Sequence, residues 1–180
     1  MAELKTRIKE EVIDFIKMLL VSFVSVYLIT TFIAKPVKVS GDSMYPQLKD
    51  HQIGFSLVFG KNHIERFDVV VVYVEETDKH LVKRVIGLPY ETIRYTDSKL
   101  YVNDVLVEEE FLDQDYVLSQ SNGMDFTSDF EITLNDDEYF LLGDNRPYSR
   151  DSRYYGPFTS DEIVSKGILV LYPFNECGVK

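Results

Sequence analysis

His80-Leu81-Val82-Lys83-Arg84-Val85-Ile86-Gly87 reads as a β-strand. Val82, Val85 and Ile86 are β-branched, and glycine closes the run. Strand alternation places Leu81, Lys83 and Val85 on one face and His80, Val82, Arg84 and Ile86 on the other. The face that carries Lys83 is otherwise aliphatic. Working outward, similar runs occupy Pro36–Val39, Ile53–Phe59, Asp68–Glu75, His80–Leu88, Glu91–Tyr95, Lys99–Val102, Val105–Glu108, Asp129–Leu134, Glu138–Leu142 and Gly167–Tyr172. Asn103-Asp104 joins two of them as a tight hairpin turn. Glu109–Asp115 suits a single helical turn. Residues 113–129, with Ser119, Ser121, Asn122 and Gly123, read as an exposed loop. Many short strands and no long helix beyond Pro36 predict an all-β domain built on antiparallel sheet.

The chain before Pro36 is different. Residues 18–34, MLLVSFVSVYLITTFIA, are seventeen in a row without charge. Adding Phe15, Ile16 and Lys17 gives a helix of ~30 Å, the thickness of a hydrocarbon core. Lys17 at its edge can snorkel. A cleaved signal peptide requires small residues at −3 and −1; ahead of Lys35 these positions hold Phe32 and Ala34. The expected division is an N-terminal segment over 1–14, one transmembrane helix over 15–34 and a β-rich domain over 35–180. Lys5, Arg7, Lys9 and Lys17 precede the span and Lys35, Lys38 and Lys49 follow it, a weak positive-inside bias.

The 180 residues include 30 acidic and 19 basic side chains, a net charge of −11. Residues 1–34 are balanced, so the whole excess falls on the β-rich part. Such a charge excludes a general nucleic-acid binder. Cys177 is the single cysteine, which excludes a disulfide framework and a zinc site of several thiolates. With three histidines and no HExxH spacing, neither a metal site nor a cofactor is expected.

Three segments carry chemistry. In Ser40-Gly41-Asp42-Ser43-Met44-Tyr45-Pro46, Ser43 lies nine positions after Ala34, at most ~30 Å of chain from the span. Tyr45 rules out a GxSxG elbow, and no histidine stands in a distinctive context, so a Ser-His-Asp triad has no basis. Taken alone, a serine in such a Gly/Asp/Pro context is a polar turn more often than a nucleophile. Lys83 has two readings from the strand pattern. It is a lysine at a sheet edge reaching water, or a buried one. Burial would lower its pKa from ~10.4 and let the neutral amine serve as general base for a serine hydroxyl. The third segment, residues 143–156, packs Asp, Asn, Arg and Ser directly after an apolar strand and suits a rigid polar network with Arg–carboxylate forks.

In order, GDSMYP at 41–46, VKRVIGLP at 82–89 and GDNRxxSxDSR at 143–153 resemble the boxes of bacterial type I signal peptidases, specifically the short Gram-positive form. The resemblance runs from about residue 10 to Phe174. It implies a serine endopeptidase with a Ser–Lys dyad, set in the lipid bilayer by one helix. Residues 1–14 would be cytoplasmic and residues 35–180 extracytoplasmic, cutting signal peptides from preproteins at the outer face of the cell membrane. Ser43 matches the nucleophile, Lys83 the general base and Ser149 the serine that hydrogen-bonds the lysine. Asp151 and Arg153 match a supporting ion pair; Asp144, Asn145 and Arg146 match its scaffold. Val39, Met44, Leu48, Leu81 and Val82 fall where the family lines shallow pockets for small residues at −1 and −3. Departures are Gln47 in place of Thr, Tyr90 in place of Gly and Asp104 in place of a hairpin Gly. Other readings are a relative dedicated to one client, and an inactive β module that only binds partners. The oligomeric state and the role of Cys177 are not legible.

Overall fold

The structure, a computed structural model, describes residues 2–59, 63–121 and 123–180. Met1 of the predicted cytoplasmic segment and Asn122 of the predicted loop lie outside the described residues. The chain begins with α1 (Ala2–Phe32), followed by β1 (Ala34–Lys38), β2 (Ile53–Leu57), β3 (Val69–Val74), β4 (Lys79–Gly87), β5 (Thr92–Thr96), β6 (Lys99–Val102) and β7 (Val105–Val107). Then come α2 (Gln114–Ser121), β8 (Phe130–Thr133), β9 (Glu138–Leu142), α3 (Ser152–Tyr155), β10 (Phe158–Thr159), β11 (Ile163–Tyr172) and β12 (Gly178–Val179).

No glycine or proline interrupts α1, which spans ~46 Å at 1.5 Å per residue. Its stretch Arg7–Phe32 is long and apolar enough to cross a membrane, and none of it is buried against the rest of the chain. It is therefore not the core helix of a folded domain. Residues 2–14 form the first turns of the same helix. The helix ends at Phe32, where the predicted span ran to Ala34. Ala34 already pairs with Leu57 in β1, and Pro36 further on disfavours helical backbone at Lys35.

All pairings are antiparallel. The larger sheet has the order β1-β2-β11-β3-β4-β9-β10, with β12 added to β11, and the smaller has the order β7-β6-β5-β8. The all-β expectation for the part beyond the helix holds. The hairpin turn has both Asn103 (φ 49°) and Asp104 (φ 66°) in the left-handed region, as a two-residue type I′ turn requires. β11 starts four residues earlier than expected; a register shift between Ile163 and Ser165 and a positive φ at Gly167 break the period that would have revealed it.

The predicted loop over 113–129 contains a helix. Asp113 caps α2, its Oδ1 accepting from the Tyr116 N–H at 2.9 Å. Ser119 and Ser121, whose presence suggested a loop, turn their hydroxyls back onto the carbonyls of Tyr116 and Val117.

Three apolar clusters form the core. Val70, Val72, Val74, Val85, Leu141, Phe158 and Ile163 make one, with Leu81 against it. Val39, Met44, Leu48, Val69, Ile168 and Val170 make a second, with Val37 and Val82 against it. The third joins the smaller sheet to β9 through Tyr95, Leu100, Phe140 and Leu142. Register places Lys83 opposite Val70 and Leu81 opposite Val72, so the lysine emerges within the first cluster's face.

Candidate active site

The loop from Val39 to Gln52 leaves β1 and returns to β2. Val39 and Gln52 close its base through Val39 N–H to Gln52 O at 2.8 Å, and His51 N–H returns to Val39 O at 3.1 Å. Gly41, at φ 82°, takes a backbone conformation that costs other residues energy, and its N–H donates to Asp50 Oδ1 at 2.9 Å. Met44 and Leu48 anchor the loop in the core. Gln47 donates to Phe111 O at 3.0 Å, tying the loop to the segment that follows β7. Ser43 is thus presented by a loop held at both ends.

Lys83 rises from β4 beneath this loop. Its Nζ donates to Ser43 Oγ at 2.7 Å and to Val82 O at 3.0 Å. The residue is only 2% exposed. Burial pushes its pKa down to about 8; the Asp151 and Asp144 carboxylates oppose the shift without cancelling it, and Arg153 adds to it. The buried reading of the strand pattern is the one the structure shows. A neutral lysine amine has two N–H donors and one lone pair, so it can keep the Val82 carbonyl and accept the Ser43 hydroxyl proton.

The segment after β9 forms the other wall. Asn145 donates its backbone N–H to Ser43 O at 3.0 Å and its Nδ2 to Asp42 O at 2.9 Å. Gly143 packs so closely on Ser149 Oγ and Ser43 O that a Cβ there would collide with both. Asp151 is fully buried, pairs with Arg153 through two side-chain bonds of 2.9 and 2.8 Å, and accepts from the Gly143 N–H at 3.1 Å. Burial works to raise the Asp151 pKa, but Arg153, Gly143 and Ser149 together hold it below the usual value. Arg153 also donates to Arg146 O at 2.7 Å, which fixes the turn between Asn145 and Ser149.

Two partners were not legible in sequence. Arg84, next to the lysine, forks onto Asp144 with bonds of 2.8 and 2.7 Å and lies 4.2 Å from the Phe111 ring centroid. Arg146, 1% exposed, pairs with Glu109 and donates to Tyr95 Oη at 3.0 Å, Thr127 Oγ1 at 2.9 Å and Gly143 O at 3.0 Å. Glu109 sits in what read as a one-turn helix, 37 positions from Arg146; nothing local marks it.

Two expectations need correction. The bond from Ser149 to Lys83 is not formed: the lysine's partners are Ser43 and Val82, and Ser149 Oγ lies buried against Gly143 and near Asp151. The five pocket residues do not share one surface. Val39, Met44 and Leu48 are buried in one cluster with Val82 against them, whereas Leu81 faces the other cluster, because adjacent strand residues point to opposite faces.

Between the end of α1, β1 and β4 lies a cleft of about 420 Å³ lined by Lys35, Val37, Lys38, His80, Val82 and Val164 among others. Among the described residues, β1 pairs only with β2, and β9 covers β4 only from Arg84 to Gly87. Lys79–Lys83 and Ala34–Lys38 therefore each keep one strand edge free.

The family model for signal peptidase, peptidase S26, matches residues 12–172. Among curated relatives, signal peptidase I P of Bacillus subtilis subsp. natto is 37% identical over 179 residues, covering 97% of both chains. Signal peptidase I S of Bacillus subtilis strain 168 is 37% identical, covering 93% of each, and signal peptidase IB of Staphylococcus aureus strain COL is 33% identical, covering 93% of each. A crystal structure of a signal peptidase I from Enterococcus faecalis V583 superposes with a TM-score of 0.53 at 34% identity, over 57% of this chain and 95% of that one. With this match along nearly its whole length, the chain belongs to the signal peptidase family of S26 peptidases, endopeptidases that remove signal peptides.

Proposed function

We propose that the chain is a membrane-anchored signal peptidase working through a Ser43–Lys83 dyad. The observation that carries this is the 2.7 Å contact between Lys83 Nζ and Ser43 Oγ, made by a lysine whose burial lowers its pKa to about 8. Neutral Lys83 takes the Ser43 proton as Oγ attacks the scissile carbonyl; the Ser43 N–H helps hold the oxyanion. The Lys83 ammonium then protonates the leaving amine, and an ester on Ser43 remains. Neutral again, Lys83 activates a water that releases the signal peptide. Asn145, Asp144, Asp151, Arg153 and Arg146 hold the Ser43 loop and Lys83 in register, and Ser149 packs beneath them. The preprotein enters the cleft between β1 and β4 as an added strand. Val82 and Val37 face its small side chains over a floor of Val39, Met44 and Leu48.

The anchor reading rests on α1 and on the sheet beside it. Ile53, Phe55, Leu57, Leu169, Tyr172 and Val179 share one face by register, and all are 39–79% exposed. Phe59 and Phe174 beside them are 83% and 84% exposed. An apolar face next to the helix end suits contact with the bilayer surface, with the β-rich domain on the extracytoplasmic side. No nucleic acid enters this reading.

The test is cleavage in detergent of a preprotein with Ala at −3 and −1, by wild type and by Ser43→Ala. Product from wild type and none from the folded variant is expected. Equal cleavage by Ser43→Ala sinks the dyad.

A further inference from the structure

A second cavity lies against the Ser43 loop and is formed with α2. It measures about 500 Å³ and is lined by Asp42, Tyr45, Tyr116, Gln120, Asn145 and Tyr148. Three phenol rings converge there from three segments: the Ser43 loop, α2 and the turn after Asn145. The Tyr45 and Tyr116 rings meet edge to face at 5.0 Å, and Tyr148 is 69% exposed. Tyr116 and Gln120 stand four apart on α2, on one helix face.

We propose that this cavity receives a basic side chain of the preprotein just after the scissile bond, so that Tyr116, Tyr148 and Asp42 set a preference on the leaving side; this rests on the peptidase reading above. Position comes first. Asp42 precedes Ser43 in the chain, and Asn145 bonds both the Asp42 and Ser43 carbonyls. The cleft between β1 and β4 shares no residue with this cavity. Val82 of that cleft adjoins Lys83 in β4, and Asp42 and Asn145 of the cavity adjoin or bond Ser43, so each opening borders residues next to the dyad. An extended peptide with its signal part in the cleft and its reacting carbonyl at Ser43 runs on toward the tyrosines.

Chemistry comes second. The lining contains three aromatic rings, one carboxylate and two amides, with no cationic side chain. Ring faces and a carboxylate attract an ammonium or guanidinium and repel a carboxylate. Burial, reinforced by Tyr45, Tyr148 and Asp42, raises the Tyr116 pKa, so its phenol stays neutral in the working range and keeps its donor hydroxyl. The volume accommodates a long side chain, and the open edge at Tyr148 lets it enter from the surface.

The test uses the full chain in detergent with three preproteins. They share one signal peptide and differ only in carrying Lys, Ala or Glu at the second and third positions after the bond. The readout is the ratio of kcat/KM between the Lys and Glu substrates, which cancels any loss of folded enzyme. Wild type is expected to prefer Lys by roughly 5–10-fold. Tyr116→Ala combined with Tyr148→Ala should bring the ratio to about 1–2, whereas Tyr116→Phe, which keeps the ring, should preserve it. A wild-type ratio near one, or a ratio unchanged in the double variant, overturns the proposal while leaving the peptidase reading intact. Failure of wild type to cleave any of the three overturns both.

Discussion

Lys83 and Arg146 are both buried cations near Ser43, at 2% and 1% exposure, but their surroundings differ. Arg146 meets Glu109 directly and fills its other donors with oxygens of Tyr95, Thr127 and Gly143. Arg84, the neighbour of Lys83 in sequence, forks onto Asp144. Among the described residues Lys83 hydrogen-bonds a hydroxyl and a carbonyl, and the Asp151 and Asp144 carboxylates act on it from beyond contact. A charge that meets an opposite charge survives burial; one that meets neutral dipoles becomes easy to neutralise. The site thus separates a charged scaffold, which holds the Ser43 loop, from a cation free to give up its proton.

The comparison breaks most sharply when the lysine is made to resemble its neighbours. Lys83→Arg should lower kcat/KM by ~10²–10⁴-fold or more, since a guanidinium does not deprotonate in proteins. A peptide assay reads this directly, and a wild-type rate in that variant would exclude proton transfer by residue 83. In wild type, kcat/KM should rise with pH through about 8 as Lys83 loses its proton; a flat profile across that range would assign the proton elsewhere.

The scaffold breaks when an arginine loses its carboxylate. Glu109→Gln leaves Arg146 buried without its ion pair and should cost ~3–5 kcal/mol, read from denaturant midpoints. Asp151→Ala should sit at or below the lower end of that range, because Arg153, with a side chain 21% exposed, can turn toward water. An unchanged midpoint in Glu109→Gln would show that the pair contributes nothing to holding the loop.

Removing the buried charge should have the opposite sign. Lys83 has a folded pKa of about 8 against 10.5 for the free group. Between these values the unfolded chain binds more protons, so wild-type stability rises with pH across that window, and below it the penalty is complete. Lys83→Met should therefore stabilise the fold at neutral pH by up to ~3 kcal/mol. The advantage should shrink as pH climbs toward 10; a gap that widens with pH refutes a depressed lysine. The smallest effect lies away from both regions. Tyr90 is 73% exposed with φ 67°, a strained conformation for a side chain with a Cβ. Tyr90→Gly should raise stability by up to ~1 kcal/mol in thermal unfolding; a loss would mean that the ring's contacts outweigh the strain.

Strand periodicity made β4 and its two faces readable, because alternation is local geometry. The same logic exposed the Asn103-Asp104 hairpin and the apolar helix. Local logic failed at α2, where a capping Asp113 counted for more than the serines that follow it. It failed at Ala34, which reads as the end of the apolar span but opens β1 against Leu57. The site was legible as three segments but not as a network. Asp151 and Arg153 stand two apart and the family resemblance pairs them, whereas Arg84 and Asp144 are 60 apart and Arg146 and Glu109 are 37 apart. The tyrosine cavity stayed hidden for the same reason, since its rings come from three separate segments.

The sequence by itself determined where chain direction and burial alternate, which stretch is apolar enough to span a bilayer and which residue types could cut a peptide bond. These follow from sterics and solvation over a few neighbouring residues. Only the tertiary structure decided that Lys83 meets Ser43 across 40 positions, and that Arg84 and Arg146 meet carboxylates distant in the chain whereas the lysine meets a hydroxyl and a carbonyl. A pKa depends on the dielectric and charges assembled around a group, and those are supplied here by strands and loops distant in the chain.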